Sequence, residues 1–165
     1  MPPSPLYSRL LDISHKHAKP ANLDEILAIR APDAVHAWGH TFLVSRNPKL
    51  GERMNNAAFE AHLRSTGPYL ESARPVTVHS IAVDEHQRTS SVHMSYFLRP
   101  AGSEEVVEQE LVWTLKFTED DDVQKVLIRE SVEFIDAAAS SRLGEIIRGI
   151  HGNSASHIKT VASIP

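Results

Sequence analysis

The stretches S-S-V-H-M-S-Y-F-L at Ser90–Leu98 and V-V-E-Q-E-L-V-W-T-L-K-F at Val106–Phe117 decide the fold class. Polar and apolar residues alternate along both, and β-branched and aromatic side chains are frequent, as in strands with one buried face. The segments Pro75–Asp84 and Val123–Phe134 have a similar character, and charged or glycine-containing turns separate the later strands. The second half of the chain is therefore predicted to form a run of antiparallel strands.

The first half of the chain shows helical spacing of its apolar residues instead. Three helices are predicted there, and a fourth follows the strands. The predicted helices begin near Pro5, Asn22, Asn55 or Asn56, and Ala137. Helices followed by long antiparallel strands indicate an α+β fold, with N-terminal helices packed on a curved, mainly antiparallel sheet.

A curved sheet wrapped around helices encloses a cavity, so we expect a cone-shaped α+β barrel. Both faces of the last three strands carry apolar groups. One face can line the cavity, and the other then needs a partner. This pattern predicts a homodimer through the backs of the sheets.

Composition limits the possible functions. The chain has 165 residues, of which 41% are apolar and 23% are charged, and its net charge is −4. These values are typical of a soluble globular protein, and a chain without a basic field is not expected to bind nucleic acid. It has ten histidines and no cysteine, which excludes thiolate nucleophiles and cysteine-based zinc sites.

We expect a single domain over residues 1–150 and a flexible tail over residues 151–165, because the tail is polar and rich in small residues. The N-terminal sequence lacks a basic region followed by an apolar run, and no window approaches the length of a membrane span. Neither a secretory signal nor a membrane-spanning helix is therefore expected, and the predicted location is cytoplasmic.

The segment R-A-P-D-A-V-H-A-W-G-H at Arg30–His40 is the first candidate for a functional site. A helix is predicted to end at its Ala-Pro-Asp, and the extended residues that follow place His36, Trp38 and His40 on one side. Imidazole titrates near neutral pH, and an indole can stack on a planar ring. The pattern indicates a pocket in which a flat ligand gains or loses a proton; ordinary core packing is the alternative.

The predicted strand hairpin supplies a second set of candidates. Gln109 is the only polar group on the strand face that carries Trp113, so its amide can orient a ligand carbonyl or hydroxyl. If the hairpin closes symmetrically around Ala101–Ser103, His93 lies opposite Leu111 on that face, and a one-residue slip reverses the assignment. His93 is then a candidate acid or base in a wet pocket, although a solvent-facing sheet explains the same pattern.

The last strand carries carboxylates. Alternation places Glu130 among aliphatic residues, where loss of hydration raises the pKa of a carboxyl and makes it a plausible general acid or base. An ion pair with Arg99 or Arg129 is the alternative. Asp136 either faces the mouth of the pocket or caps the final helix. Glu133 has the opposite parity, and only a β-bulge would turn it inward.

The other histidines are weaker candidates. His15 and His17 are predicted to lie on the surface of the first helix. His62 can line the cavity from the third helix. His79 is predicted to lie one strand over from His93.

Six short motifs follow one another along the chain: R-A-P-D-A-V-H at Arg30–His36, N-N-A-A-F at Asn55–Phe59, V-T-V-H at Val76–His79, V-H-M at Val92–Met94, Q-E-L-V-W at Gln109–Trp113 and E-F-I-D at Glu133–Asp136. In their order and spacing, over about Leu6–Ile147, the chain resembles the nuclear-transport-factor-2-like superfamily. More narrowly, it resembles the SnoaL-like isomerases and cyclases of fungal polyketide and meroterpenoid pathways, and among them the isomerase group of tetrahydroxanthone biosynthesis.

The resemblance implies a cavity enzyme that needs neither a cofactor nor a metal. It implies an isomerase or cyclase of fungal secondary metabolism that enolises a polycyclic aromatic, xanthone-like polyketide intermediate by acid–base chemistry. On this interpretation His36, His93 and Glu130 transfer protons. The side chains expected to hold the substrate are Trp38, Gln109, Trp113 and Asp136.

Two other functions stay open. A dehydratase of the scytalone-dehydratase kind could use His79 with His93, one to remove a proton and one to assist the departure of hydroxide. Loss of water would distinguish it from an isomerase, which leaves the mass of its substrate unchanged. The superfamily also includes non-catalytic ligand-binding modules, because a fold does not fix a function.

Overall fold

The computed structural model describes residues 2–152, and the predicted tail lies outside the described residues from 153 onward. No helix within the described range is long and apolar enough to cross a membrane. The described elements are α1 (Pro5–Ala18), α2 (Leu23–Ala28), β1 (Arg30–Trp38), α3 (Thr41–Arg46), α4 (Asn56–Thr66), β2 (Leu70–Asp84), β3 (Thr89–Pro100), β4 (Val107–Phe117), β5 (Ile128–Ile135) and α5 (Ala137–His151).

The predicted helix starts are confirmed, and side-chain caps explain them. Asn22 and Asn55 each accept a hydrogen bond at 2.9 Å from the backbone N–H three residues further on. Asp136 accepts from two backbone N–H groups at the start of α5. Each cap satisfies donors that have no partner within the helix.

The five strands form one curved sheet in the order β1-β5-β4-β3-β2. β1 runs parallel to β5, and the other neighbouring strands are antiparallel. Helix α1 packs on β2 and β3, α4 on β1, and α5 on β4. We call the helix-covered side, which carries Gln109, Leu111 and Trp113 of β4, the inner face. The predicted α+β fold with a curved, mainly antiparallel sheet is confirmed.

Strand β1 begins earlier than predicted. Ala31, Pro32 and Asp33, which were expected to end a helix, lie within the strand. Proline is tolerated here because β1 is at the edge of the sheet, and its pairing with β5 is irregular between Arg30 and Val35. The extended chain therefore starts at Arg30.

The end of β1 separates the three candidates of this segment. His36 and Trp38 share the inner face, as predicted. His40 lies beyond the strand, is exposed, and has a left-handed backbone with a φ of 61° just before α3. The prediction that His40 joins the other two is wrong, because the chain turns at Gly39.

Gly39 lies where the end of β1 meets β5, and its replacement by alanine is expected to destabilise the protein. Its N–H donates to the carbonyl of Glu133 at 2.7 Å, and an added Cβ would lie 2.3 Å from the ring of Phe134. We expect Gly39→Ala to lower the free energy of unfolding by roughly 1–3 kcal/mol, measured by urea denaturation. Gly149→Ala is the control, because nothing lies within 4 Å of its added Cβ; equal losses in both variants would contradict the packing argument.

The β3–β4 hairpin closes one residue away from the symmetric register. Residues 101–106 connect the strands, and Met94 pairs with Leu111. His93 therefore points to the outer face, and the prediction that it shares the inner face is wrong. Because side chains alternate with a period of two, a one-residue slip reverses the face of every side chain in the strand.

A β-bulge reverses the predicted faces of the carboxylates in β5. The pairing with β4 shifts by one residue at Arg129, which is an extra residue in the ladder. Beyond the bulge, Glu133 pairs with Trp113 and lines the cavity, whereas Glu130 pairs with Lys116 outside it. The alternation that placed Glu130 among inward-facing aliphatic residues is therefore wrong.

Candidate active site

A cavity of about 340 Å³ lies between the inner face of the sheet and helices α1, α4 and α5. Aromatic and aliphatic side chains form most of its wall, and Trp38 and Trp113 contribute two indoles at the predicted positions. Clefts of this size and character hold drug-sized organic molecules. Among the described residues that line it there is no lysine or arginine, so the cavity suits a neutral guest better than an anion.

Glu133 places a carboxyl group in the cavity wall. It is the only acidic side chain among the described lining residues, and it is 13% exposed. Burial raises the pKa of this carboxyl from 4.5 to about 8, because the charged form loses its hydration. A carboxyl with a pKa near the working pH can both accept a proton and return it.

His17 faces the cavity from α1, although it was predicted to lie on the helix surface. Both ring nitrogens are buried and have no hydrogen-bond partner among the described residues. The ring packs edge-on against Trp113, with the centroids 4.5 Å apart. Burial and the positive charge of Arg30 lower the pKa of His17 to about 3. The neutral imidazole therefore offers one donor and one acceptor to a ligand.

The neutral burial of His17 predicts a loss of stability in acid. Its pKa is about 3 in the folded protein against 6.5 for the free group, so the unfolded chain binds more protons as the pH falls below 6.5. We expect the difference in the free energy of unfolding between wild type and His17→Gln to change by about 1.4 kcal/mol per pH unit in this range. Urea denaturation at several pH values measures it, and a difference that does not change with pH would contradict neutral burial.

His36 lies behind Glu133 and is fully buried. Its Nε2 is 3.9 Å from Glu133 Oε2, and its Nδ1 is 3.2 Å from Ser131 Oγ. Burial and the positive charge of Arg30 lower the pKa of His36 to about 2. The imidazole is therefore neutral, and it is placed to act on Glu133 rather than to face the cavity.

Further polar side chains line the cavity, among them Tyr96, Gln109 and Ser140. Tyr96 keeps its proton, because burial and the nearby carboxyl of Glu133 raise the pKa of the phenol. Gln109 Nε2 donates to the backbone carbonyl of Asp136 at 3.1 Å, and Gln109 Oε1 accepts from the hydroxyl of Ser140 at 3.0 Å. Gln109 is thus in the predicted place, but hydrogen bonds within the protein already occupy its side-chain oxygen and one of its side-chain N–H groups.

The other predicted imidazole lies outside the cavity. His93 is on the outer face, with its side chain 38% exposed and its Nε2 2.5 Å from Glu110 Oε1. Its ring contacts that of His79, with the centroids 4.5 Å apart. The His79–His93 pair required for the dehydratase is formed, but it is on the wrong side of the sheet to meet a guest in the cavity.

Glu130 and Asp136 are also outside the lining of the cavity. Arg53 and Lys116 contact the Glu130 carboxylate at 2.8 and 2.9 Å. Hydrogen bonds from Lys116 and then Arg53 lower the pKa of Glu130, so the prediction of a raised pKa is wrong. The alternative, an ion pair, is formed, but with Arg53 and Lys116 instead of Arg99 or Arg129. The exposed carboxylate of Asp136 caps α5, which was the alternative to substrate binding.

The sequence analysis missed His17 and Tyr96 as cavity residues, and it allowed Glu133 to face inward only through a β-bulge, which the structure contains. For His17 a signal was present, because it follows Leu10 and Ile13 at helical spacing, and all three are buried. The face of the sheet on which Tyr96 lies depended on the register of the β3–β4 hairpin. Glu133 depended on a bulge that alternation does not reveal.

The chain matches no protein-family model and no curated protein, but solved structures resemble it. PrhC from Penicillium brasilianum is 17% identical, with 96% of this chain and 97% of that chain covered, at a TM-score of 0.72. BvnE pinacolase from Penicillium brevicompactum is 18% identical, with 85% and 94% covered, at a TM-score of 0.64. An LEH-like epoxide hydrolase from M. tuberculosis is 14% identical, with 86% and 91% covered, at a TM-score of 0.55.

At these identities the likeness establishes the fold and leaves the reaction to be argued from the site. The chain has the nuclear-transport-factor-2-like fold. The fold implied by the sequence resemblance is thereby confirmed.

Proposed function

We propose that this protein is a cofactor-independent isomerase or cyclase that moves a proton on a neutral, polycyclic aromatic ketone held in the cavity. One observation carries the proposal. The carboxyl of Glu133 lies in an otherwise mainly apolar wall, and its pKa of about 8 suits proton transfer near neutral pH.

The proposed reaction begins with the ionised form of Glu133. Its carboxylate removes a proton from a carbon next to the carbonyl of the substrate, and the electron pair moves to the carbonyl oxygen. The Tyr96 hydroxyl and a neutral N–H of His17 are donors that can stabilise the resulting enolate. Glu133 then returns the proton to another carbon of the conjugated system, so that the product has the mass of the substrate.

The walls of the cavity support a flat and uncharged substrate. Trp38 and Trp113 offer surfaces against which a fused aromatic ring can pack. The absence of lysine and arginine from the described lining residues disfavours a carboxylate or a phosphate ester. The sequence resemblance to tetrahydroxanthone isomerases supports a polyketide-type ring system.

Exchange of hydrogen for deuterium on a simple ketone tests the proposal. 2-Tetralone, an aromatic ketone with acidic protons beside its carbonyl, is incubated with the protein in D₂O, and loss of those proton signals is followed by NMR. We expect exchange faster than in buffer alone. Binding of 2-tetralone without faster exchange would contradict the proposal and favour a ligand-binding module.

We also propose that the protein is a homodimer, as the sequence predicts, and this proposal does not depend on the reaction. The outer faces of β3, β4 and β5 would form the interface. Light scattering measures the mass in solution, and the mass of a single chain at all concentrations would contradict the dimer.

A further inference from the structure

We propose that Ser131, held by the buried Arg30, is a positioning residue that fixes the proton of His36 on Nε2, so that His36 donates to the Glu133 carboxylate when it forms. This inference rests on the proposed function for its catalytic consequence. Which ring nitrogen of His36 carries the proton is a property of the protein alone, and it can be tested without a substrate.

The arrangement begins at a buried cation. Arg30 is 4% exposed, and its guanidinium lies 4.5 Å above the ring of Phe59. Its Nε donates to Asn56 Oδ1 at 2.8 Å, and its Nη1 donates to Ser131 Oγ at 2.9 Å. The partners lie on α4 and β5, and Arg30 itself lies on β1, so three elements of the fold together fix the position of the guanidinium.

The chemistry of the groups fixes the direction of the first hydrogen bond, and the proposal assigns that of the second. A guanidinium can only donate, so the Ser131 oxygen accepts from Arg30. A hydroxyl oxygen can accept two hydrogen bonds, so the proposal is that the one proton of Ser131 points to its other neighbour, His36 Nδ1, at 3.2 Å, rather than that the oxygen accepts a second bond from Nδ1–H. That nitrogen must be unprotonated to accept it. Because burial and nearby positive charge keep His36 neutral, its only proton is on Nε2.

The protonated nitrogen faces the catalytic carboxyl. His36 Nε2 lies 3.9 Å from Glu133 Oε2 and has no hydrogen-bond partner among the described residues. This distance exceeds a hydrogen bond, and a movement of about 1 Å would form a charge-assisted one. A donor in this place favours the carboxylate over the neutral acid, and it therefore lowers the cost of ionising Glu133 in a buried site.

An indirect connection serves Glu133 better than a direct ion pair would. A guanidinium in contact with the carboxyl would hold its pKa far below neutral, and Glu133 could no longer return a proton. Ser131 and His36 are neutral, so they pass on an oriented N–H but no charge. The parallel pairing of His36 with Ser131 in neighbouring strands holds the two side chains together.

NMR of ¹⁵N-labelled protein tests the position of the proton. Long-range ¹H–¹⁵N spectra distinguish a protonated from an unprotonated ring nitrogen. In wild type we expect His36 to carry its proton on Nε2 between pH 5 and pH 8. In Ser131→Ala we expect a mixture of tautomers and a higher pKa of Glu133, followed by ¹³C NMR, whereas Ser131→Thr retains a hydroxyl and should restore both values.

Ser90→Ala is the matched control. Ser90 is also a buried serine, and its hydroxyl bonds to that of Ser14 at 2.7 Å, away from Glu133. We expect this variant to leave the His36 spectrum and the pKa of Glu133 unchanged.

Two results would overturn the inference. One is a proton on Nδ1 of His36 in wild type, which needs no variant to be seen. The other is a Ser131→Ala protein in which neither the tautomer nor the pKa of Glu133 changes. Lack of exchange on 2-tetralone would instead count against the proposed function and would leave the proton arrangement standing.

Discussion

Replacing Glu133 by glutamine is expected to slow the enzyme-dependent exchange of 2-tetralone by roughly 10³-fold. Glutamine has almost the same shape and can still form hydrogen bonds, but it cannot take a proton from carbon. The rate is measured by NMR in D₂O at equal protein concentrations. The size of the effect follows from the position of Glu133 as the only acidic side chain among the described lining residues.

Glu130→Gln is the control for this experiment. It removes a carboxylate from the same strand, but that carboxylate lies outside the lining of the cavity between Arg53 and Lys116. We expect exchange at the wild-type rate. Equal losses in the two variants, or full exchange in Glu133→Gln, would remove Glu133 from the mechanism.

The pH dependence of the exchange has a defined sign. Proton removal requires the carboxylate, and the pKa of Glu133 is about 8. The enzyme-dependent rate should therefore rise about tenfold per pH unit below pH 8 and level off above it. A carboxyl with an ordinary pKa of 4.5 would instead give a rate that hardly changes with pH between the two pKa values.

The substitution Glu133→Gln is also expected to make the protein more stable than wild type at alkaline pH. Glu133 has a pKa of about 8 in the folded protein against 4.5 for the free group. Between these values the folded state binds more protons than the unfolded state, so the free energy of unfolding of wild type falls as the pH rises. The advantage of Glu133→Gln should grow by about 1.4 kcal/mol per pH unit, on the order of 4 kcal/mol from pH 5 to pH 8.

Urea denaturation of wild type, Glu133→Gln and Glu130→Gln measures this effect. Glu130→Gln should show the opposite sign, because the pKa of Glu130 is lowered in the folded protein and its ion pairs favour folding above the pKa of the free group. The loss should be small, since exposed ion pairs contribute at most about 1 kcal/mol. An advantage of Glu133→Gln that stays constant across pH would contradict the burial of the Glu133 carboxyl.

Local signals in the sequence predicted the elements of the fold well. Asn22 and Asn55 cap helices because a side-chain oxygen near a helix start satisfies a free backbone donor. Alternation along β4 correctly placed Gln109 and Trp113 on the inner face. These features depend on residues close together in the chain, and neighbouring residues in the sequence are enough to specify them.

The relative faces of the strands could not be predicted in the same way. The face of His93 depended on how residues 101–106 close the hairpin, and the faces of Glu130 and Glu133 depended on one extra residue at Arg129. Each of these is a one-residue difference in pairing between strands, and it exchanges the two faces completely. Imidazole and carboxyl groups were expected in the cavity wall, but two of the three residues predicted to transfer protons, His93 and Glu130, lie on the other side of the sheet.

The most direct measurement is a ¹³C NMR titration of the Glu133 carboxyl in protein labelled at its glutamate carboxyl carbons, with the signal assigned by its loss in Glu133→Gln. A buried acid–base group in the cavity wall predicts a midpoint at about pH 8. A midpoint near 4.5, the ordinary value for a glutamate, would show that Glu133 is hydrated and would contradict its proposed role as the proton carrier.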